Sequence, residues 1–173
     1  MDYLPAMHET ERNNLKKNLR IIVFTVKGTE YALIVDNIFE IIVRNTLTPV
    51  PQTSRFIKGA IAYKDKIIPV FDTAGILGHP ETISETAKHT VIVVNYQGRF
   101  LGLEADSVTD IVESDSVTLH AVVVKEMGSA IEGIGVSGNR FFFLLNTEKI
   151  ITTKEPFDIK IQDVILKKME ERA

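Results

Sequence analysis

Shifted by 70 positions, this chain matches itself. KGTEYALIVDNIFEII falls over YQGRFLGLEADSVTDIV, so Gly28 meets Gly98, Leu33 meets Leu103 and Asp36 meets Asp106. Ile38 then meets Val108, Glu40 meets Asp110 and Ile41 meets Ile111. A second pairing follows at a shift of 74, where Ile57-Lys58-Gly59 meets Ile131-Glu132-Gly133. In that register Lys64-Asp65 meets Gly138-Asn139, and the run from Lys66 to Asp72 meets the run from Arg140 to Asn146. Two features recurring in the same order at nearly the same shift point to duplication of one structural unit.

Each unit reads as β-structure. A strand rich in β-branched residues (IIVFTV, TVIVVNY) leads through a Gly-containing turn to a second strand, the pattern of a hairpin. A bend at Asp36-Asn37-Ile38 or Asp106-Ser107-Val108 precedes another strand. A second hairpin turns at Lys64-Asp65 or Gly138-Asn139, the latter carrying the stronger turn chemistry. Asp72 and Asn146 are placed to cap a short closing helix. Short strands around one small core predict a compact barrel per unit, because closure removes exposed sheet edges. The expected bounds are about 20–76 for the first unit and 89–151 for the second. The polar stretch LGHPETISETAK, 77–88, is the linker. Residues 1–19 form an N-terminal extension. Over 157–173, Ile161, Val164, Ile165 and Met169 recur at helical spacing, which predicts an amphipathic helix. Packing on the barrels is one reading of that helix, and a partner site is the other.

The sequence narrows the chemistry. Net charge is −3 and Lys and Arg are scattered, so nucleic acid and anionic membrane are poor partners. No apolar run is long enough for a bilayer-spanning helix, so direct membrane insertion is not expected. The N-terminus lacks the basic start and apolar stretch of a secretory signal. With no cysteine, disulfides and thiolate metal sites are excluded, and a cytoplasmic location fits. His8, His79, His89 and His120 lack metal-site spacing. GIGVSGNR has three glycines but runs into FFFLL, a strand, whereas phosphate loops open a helix. Asp36, Glu40, Asp106 and Asp110 sit at matched places in both units, which suits bend caps better than an acid–base pair. The expectation is therefore a protein with no catalytic residues, no metal and no cofactor.

Four blocks, VFTVKGTEYALIVDNIFEII, FIKGAIAYKDKIIPVFD, TVIVVNYQGRFLGLEADSVTDIVE and IEGIGVSGNRFFFLLNTEKI, resemble the CheW family of chemotaxis coupling proteins. The likeness runs from Arg20 to Ile151 without large gaps, giving a CheW-like domain at 20–151. It implies two five-stranded, SH3-like barrels packed on a shared hydrophobic core. It also implies a non-catalytic adaptor that docks the cytoplasmic tip of a chemoreceptor and the regulatory domain of a CheA-type histidine kinase. Such a protein is cytoplasmic and recruited to receptor arrays at the membrane. The family's receptor groove maps onto Val35, Ile38 and Glu40 in the first unit and Val91, Ile92, Leu101 and Gly102 in the second. An apolar trough edged by charge is what an amphipathic helix needs. For Val91, Ile92 and Leu101, ordinary core packing is the competing reading. Lys58 and Gly59 match the family's Ile-Lys-Gly block, and Gly59 is expected to permit a close backbone approach.

One departure stands out. After that block the family reads a hydrophobic pair and then Asn-Leu-Arg-Gly; here Ala60-Ile61 is followed by Ala62-Tyr63-Lys64-Asp65. Lys64 keeps the charge of the arginine but not its flat, bidentate fork. After Asp72 the family shows Leu-Arg, where this chain has Thr73-Ala74. The readings to weigh are ordinary chemotaxis coupling, a divergent CheW-like paralogue serving another receptor–kinase pathway, and a ligand-sensing β-barrel.

Overall fold

A computed structural model describes residues 20–34, 36, 38–51, 56–80, 88–121 and 130–152. The N-terminal extension, most of the linker and the expected C-terminal helix lie outside the described residues. The chain is mainly β. The first unit supplies β1 (Arg20–Val26), β2 (Thr29–Ile34), β3 (Ile38–Arg44), β4 (Ile57–Tyr63), β5 (Lys66–Phe71) and helix α1 (Thr73–Ile76). The second supplies β6 (His89–Tyr96), β7 (Arg99–Ala105), β8 (Ser107–Glu113), β9 (Thr118–Ala121), β10 (Ile131–Ser137), β11 (Arg140–Leu145) and helix α2 (Thr147–Thr152).

The local features follow the repeat closely. The β1–β2 turn has Lys27 at φ 49° and Gly28 at φ 78°; the β6–β7 turn has Gln97 at 51° and Gly98 at 79°. Two consecutive left-handed residues make the tight turn whose twist matches its flanking strands. Both predicted helix caps are present. Asp72 Oδ1 accepts from the Gly75 amide at 3.1 Å, and Asn146 Oδ1 accepts from the Lys149 amide at 3.0 Å. Each satisfies a first-turn N–H that has no partner within the helix.

Strand pairing departs from the expectation of one barrel per contiguous unit. The six-stranded sheet runs β8-β1-β2-β11-β10-β9 and the five-stranded sheet runs β3-β6-β7-β5-β4. Each sheet therefore takes its first hairpin from one unit and its remaining strands from the other. The contiguous spans 20–76 and 89–151 do not each close a barrel; the units exchange their third strands and second hairpins. The first sheet also has six strands, not five. Its extra strand β9 pairs with β10, and the counterpart in the other sheet is a single bridge between Thr48 and Ala60. That bridge depends on Gly59. A Cβ there would stand 2.8 Å from the Thr48 carbonyl oxygen and 2.9 Å from Leu47 Cβ. Without one, Thr48 and Ala60 exchange backbone hydrogen bonds of 2.9 and 2.8 Å.

The first hairpins are apolar on both faces because both faces are covered. In β1, Ile22, Phe24 and Val26 face a central cluster while Ile21 and Val23 face a second one. In β6, Ile92 and Val94 face the central cluster while Val91 and Val93 face a third. The central cluster joins the two sheets and takes Ile76 from α1 and Ile150 from α2. It is the shared hydrophobic core. The alternation of a half-buried strand is absent here because burial occurs on both sides.

Candidate functional site

Lateral rows of side chains across the two sheets lead from the core to the surface. In the six-stranded sheet, register places Ile111, Ile22, Leu33, Leu145 and Ile131 side by side, with β2 and β11 parallel. In the five-stranded sheet the row is Ile41, Ile92, Leu103, Phe71 and Ile57. Directly paired residues share a face, so both rows look toward the seam between the sheets. Their inner members are buried. Their ends on the edge strands are not: Ile111 is 54% exposed and Ile41 is 36% exposed. These two residues are equivalents in the repeat.

Among the described residues, strand β3 carries three of the five exposed large hydrophobic side chains. Phe39, Ile41 and Val43 are all exposed, on a strand at the edge of its sheet. A bulge between Ile38 and Glu40 turns the strand, so Ile38 pairs with Val94 and Ile41 with Ile92 on the seam side. Ile38 packs against the central cluster, and Glu40 turns to the other face. There Tyr63 Oη donates to Glu40 Oε2 at 3.0 Å. Phe39 meets Phe100 edge to face at 4.5 Å between centroids, and Lys66 Nζ stands 5.2 Å over the Phe100 ring. Lys64 Nζ lies 5.2 Å over Tyr63, and both distances are within cation–π range. Ile41 and Val43 thus leave apolar surface on the seam side of β3, while Glu40 and the two ammonium groups gather around its opposite face. Contiguous exposed apolar surface of this kind marks a docking site.

The groove residues expected from sequence divide into distinct sets. Ile38 packs at the inner end of the stripe, and Glu40 lies on the opposite face of β3. Val35 lies outside the described residues. Val91 and Ile92 are 0% exposed and Leu101 is 1% exposed, so they are core side chains and do not line an accessible groove. Gly102 is buried as well; a Cβ there would stand 2.5 Å from Val91 Cγ1 and 3.2 Å from Val70 Cγ2. It is a glycine because neighbouring valines occupy the space. The cause is plain: both faces of β6 and β7 are covered, one by the central cluster and the other by the third. Phe39, Ile41, Val43 and Ile111 were not singled out from sequence as site residues. The available signal was an apolar run on both faces of β3, IFEIIVR.

Lys58 is engaged within the protein. Its Nζ lies 2.6 Å from Glu104 Oε1, and Glu104 Oε2 lies 3.0 Å from His89 Nδ1. Lys64 is exposed with φ 55°, at the place where the second unit has Gly138 with φ 61°. A left-handed conformation costs an L-residue about 1–2 kcal/mol, so lysine here carries a strain that glycine would not. Beside it, hydrogen bonding to Lys66 holds the Asp65 carboxyl below the usual carboxylate range. Three of the four carboxylates weighed as an acid–base pair, Glu40, Asp106 and Asp110, have structural bonds. Asp106 accepts from the Gly28 amide at 3.2 Å, and Asp110 meets Arg140 at 3.1 Å. Arg140 also pairs with Glu30 at 2.8 Å. Tyr31 and His79 share a 2.7 Å hydrogen bond, and burial pushes the Tyr31 phenol up from its ordinary pKa. No helix among the described residues is long and apolar enough to cross a membrane.

A sequence profile for the CheW-like domain matches residues 20–155. The chemotaxis protein CheW of Thermotoga maritima is 29% identical over 143 residues, which cover 80% of this chain and 93% of that protein. The chemotaxis protein CheW of Bacillus subtilis is 27% identical over 140 residues, covering 79% of this chain and 89% of its own. Among solved structures, scaffolding protein TtCheW from Thermoanaerobacter tengcongensis superposes with a TM-score of 0.68 at 24% identity, covering 79% of this chain and 94% of its own.

Proposed function

We propose that this chain, which belongs to the CheW family, is a non-catalytic chemotaxis adaptor that docks a chemoreceptor and a CheA-type histidine kinase together. The observation that carries this reading is the uncovered apolar stripe of β3, with Ile111 at the equivalent edge of the other sheet. The helical hairpin of a receptor tip presents an amphipathic face, and such a face seats in an apolar trough with charges at its rim. Ile38, Ile41 and Val43 supply the trough, and Glu40 lies behind it on the opposite face of β3. The core residues Val91, Ile92, Leu101 and Gly102 support this surface from beneath. The kinase's regulatory domain, itself CheW-like, docks on the sheet ends, where Lys64 stands exposed on its turn. The protein works in the cytoplasm and reaches the membrane through the receptor arrays that recruit it.

The direct test is a pull-down of the full chain with a receptor tip and a kinase regulatory domain, offered separately and together. Retention of both at once supports the adaptor. Retention of neither rejects ordinary coupling and favours a paralogue serving a different receptor–kinase pair, the reading that Lys64-Asp65 raises. A charge reversal adds a quantitative arm. Lys64→Glu is expected to weaken kinase or receptor binding about tenfold, mainly through slower association. Its melting temperature should stay nearly unchanged, since the side chain is exposed. Equal affinities for both partners in calorimetric titration would remove Lys64 from the docking surface.

A further inference from the structure

A second uncovered apolar face lies away from the edge strands. On the β10–β11 hairpin, Ile134 pairs with Phe143 and Val136 with Phe141, so all four side chains share one face. Phe141 is 58% exposed, the largest value among the exposed large hydrophobic residues of the described chain. Its ring meets Phe143 edge to face at 5.9 Å. Further along β11 the same face enters the shared core at Leu145, which is 3% exposed. The patch therefore begins where the covering sheet stops. Its counterpart on the other unit is small, pairing Ala60 with Pro69 and Ala62 with Ile67. The bulky face belongs only to the second unit.

Only the second unit is also followed by an amphipathic segment. We infer that residues 157–173 form a helix whose Phe157, Ile161, Val164, Ile165 and Met169 stripe covers the Ile134–Val136–Phe141–Phe143 face. The tether permits this. Ile150 of α2 is buried in the same cluster as Leu145, so the chain leaves the core beside the root of β11. Phe141 lies about 13 Å along the strand from Leu145. Residues 153–156, beyond the end of α2, span about 14 Å when extended. A tethered segment competes at millimolar effective concentration, well above the concentration of a second copy. Ile111, by contrast, lies at the far edge of the sheet, with β1 and β2 between its strand and β11. The tail thus shields a surface separate from the docking stripe, and the inference stands whether or not the adaptor reading does.

The chain has no cysteine, so Asp163→Cys places a single spin label on the polar side of the segment in the full-length protein. Amide signals of Ile134, Val136, Phe141 and Phe143 should lose most of their intensity, and those of Ile41, Val43 and Ile111 should keep theirs. Adding Ile161→Ser with Ile165→Ser should restore the hairpin signals. Where that pair disturbs the strands, Phe141→Ser on the exposed side makes the same comparison. Loss centred on β3 or β8, no selective loss, or loss insensitive to these substitutions overturns the inference. Loss that appears only between labelled and unlabelled molecules and grows with concentration assigns the face to a second copy, which also overturns it.

Discussion

Ile92→Ala is expected to lower the unfolding free energy by about 2–5 kcal/mol, the usual range for truncating a buried isoleucine. Against a typical total of about 5–15 kcal/mol, that loss moves the chain toward its unfolding threshold. Position sets the size of the effect. Ile92 is 0% exposed and lies in the row between Ile41 and Leu103, facing the cluster that joins the sheets. Removing its outer carbons leaves a cavity between two sheets whose strands are hydrogen-bonded in fixed register, so the site cannot collapse freely. Urea unfolding should show a lower midpoint at an unchanged slope, which marks a change in stability rather than in compactness. The folded fraction should bind the receptor tip with unaltered affinity. Stability within about 0.5 kcal/mol of the parent, joined to a large loss of binding, would return Ile92 to the groove.

This residue also shows where sequence reasoning reached and where it stopped. Hairpins and caps were legible because their determinants are local: Lys27-Gly28 and Gln97-Gly98 make the turns, and Asp72 and Asn146 hold the helix amides. The exchange of strands between units was not. Two similar units offer β3 two comparable hairpins, β1–β2 and β6–β7, and no short-range signal separates the choices. A bend at Asp36 or Asp106 records that the chain turns, not which hairpin it turns toward. The site suffered from the same ambiguity. β6 has apolar residues at consecutive positions from Val91 to Val94, and such a run has no polar face to mark a side as exposed. Whether Val91 and Ile92 meet solvent depends on what packs on each face of β6, a fact of tertiary structure. Conversely, the apolar run in β3 resembled a core strand, and only its place at the sheet edge leaves Ile41 and Val43 uncovered.

Ile41→Asp combined with Val43→Asp should reverse the Ile92 pattern, with binding lost and the fold retained. Both residues are exposed and point to the seam side of β3, where a receptor helix would seat. Burying an isoleucine or valine side chain at an interface is worth about 1.5–3 kcal/mol. A carboxylate in its place adds a desolvation cost. Receptor affinity should fall at least about 100-fold, equivalent to about 2.7 kcal/mol. The folded state should lose about 1 kcal/mol or less per site, through weaker strand propensity at an edge. Aspartate is also tolerated at such an edge for a separate reason: charge there discourages strand-to-strand aggregation. Solubility and the melting profile should therefore hold while affinity drops. Receptor affinity unchanged in both the double variant and Ile111→Asp would mean that the exposed rows end at plain surface, and the docking trough would have to be sought on another face.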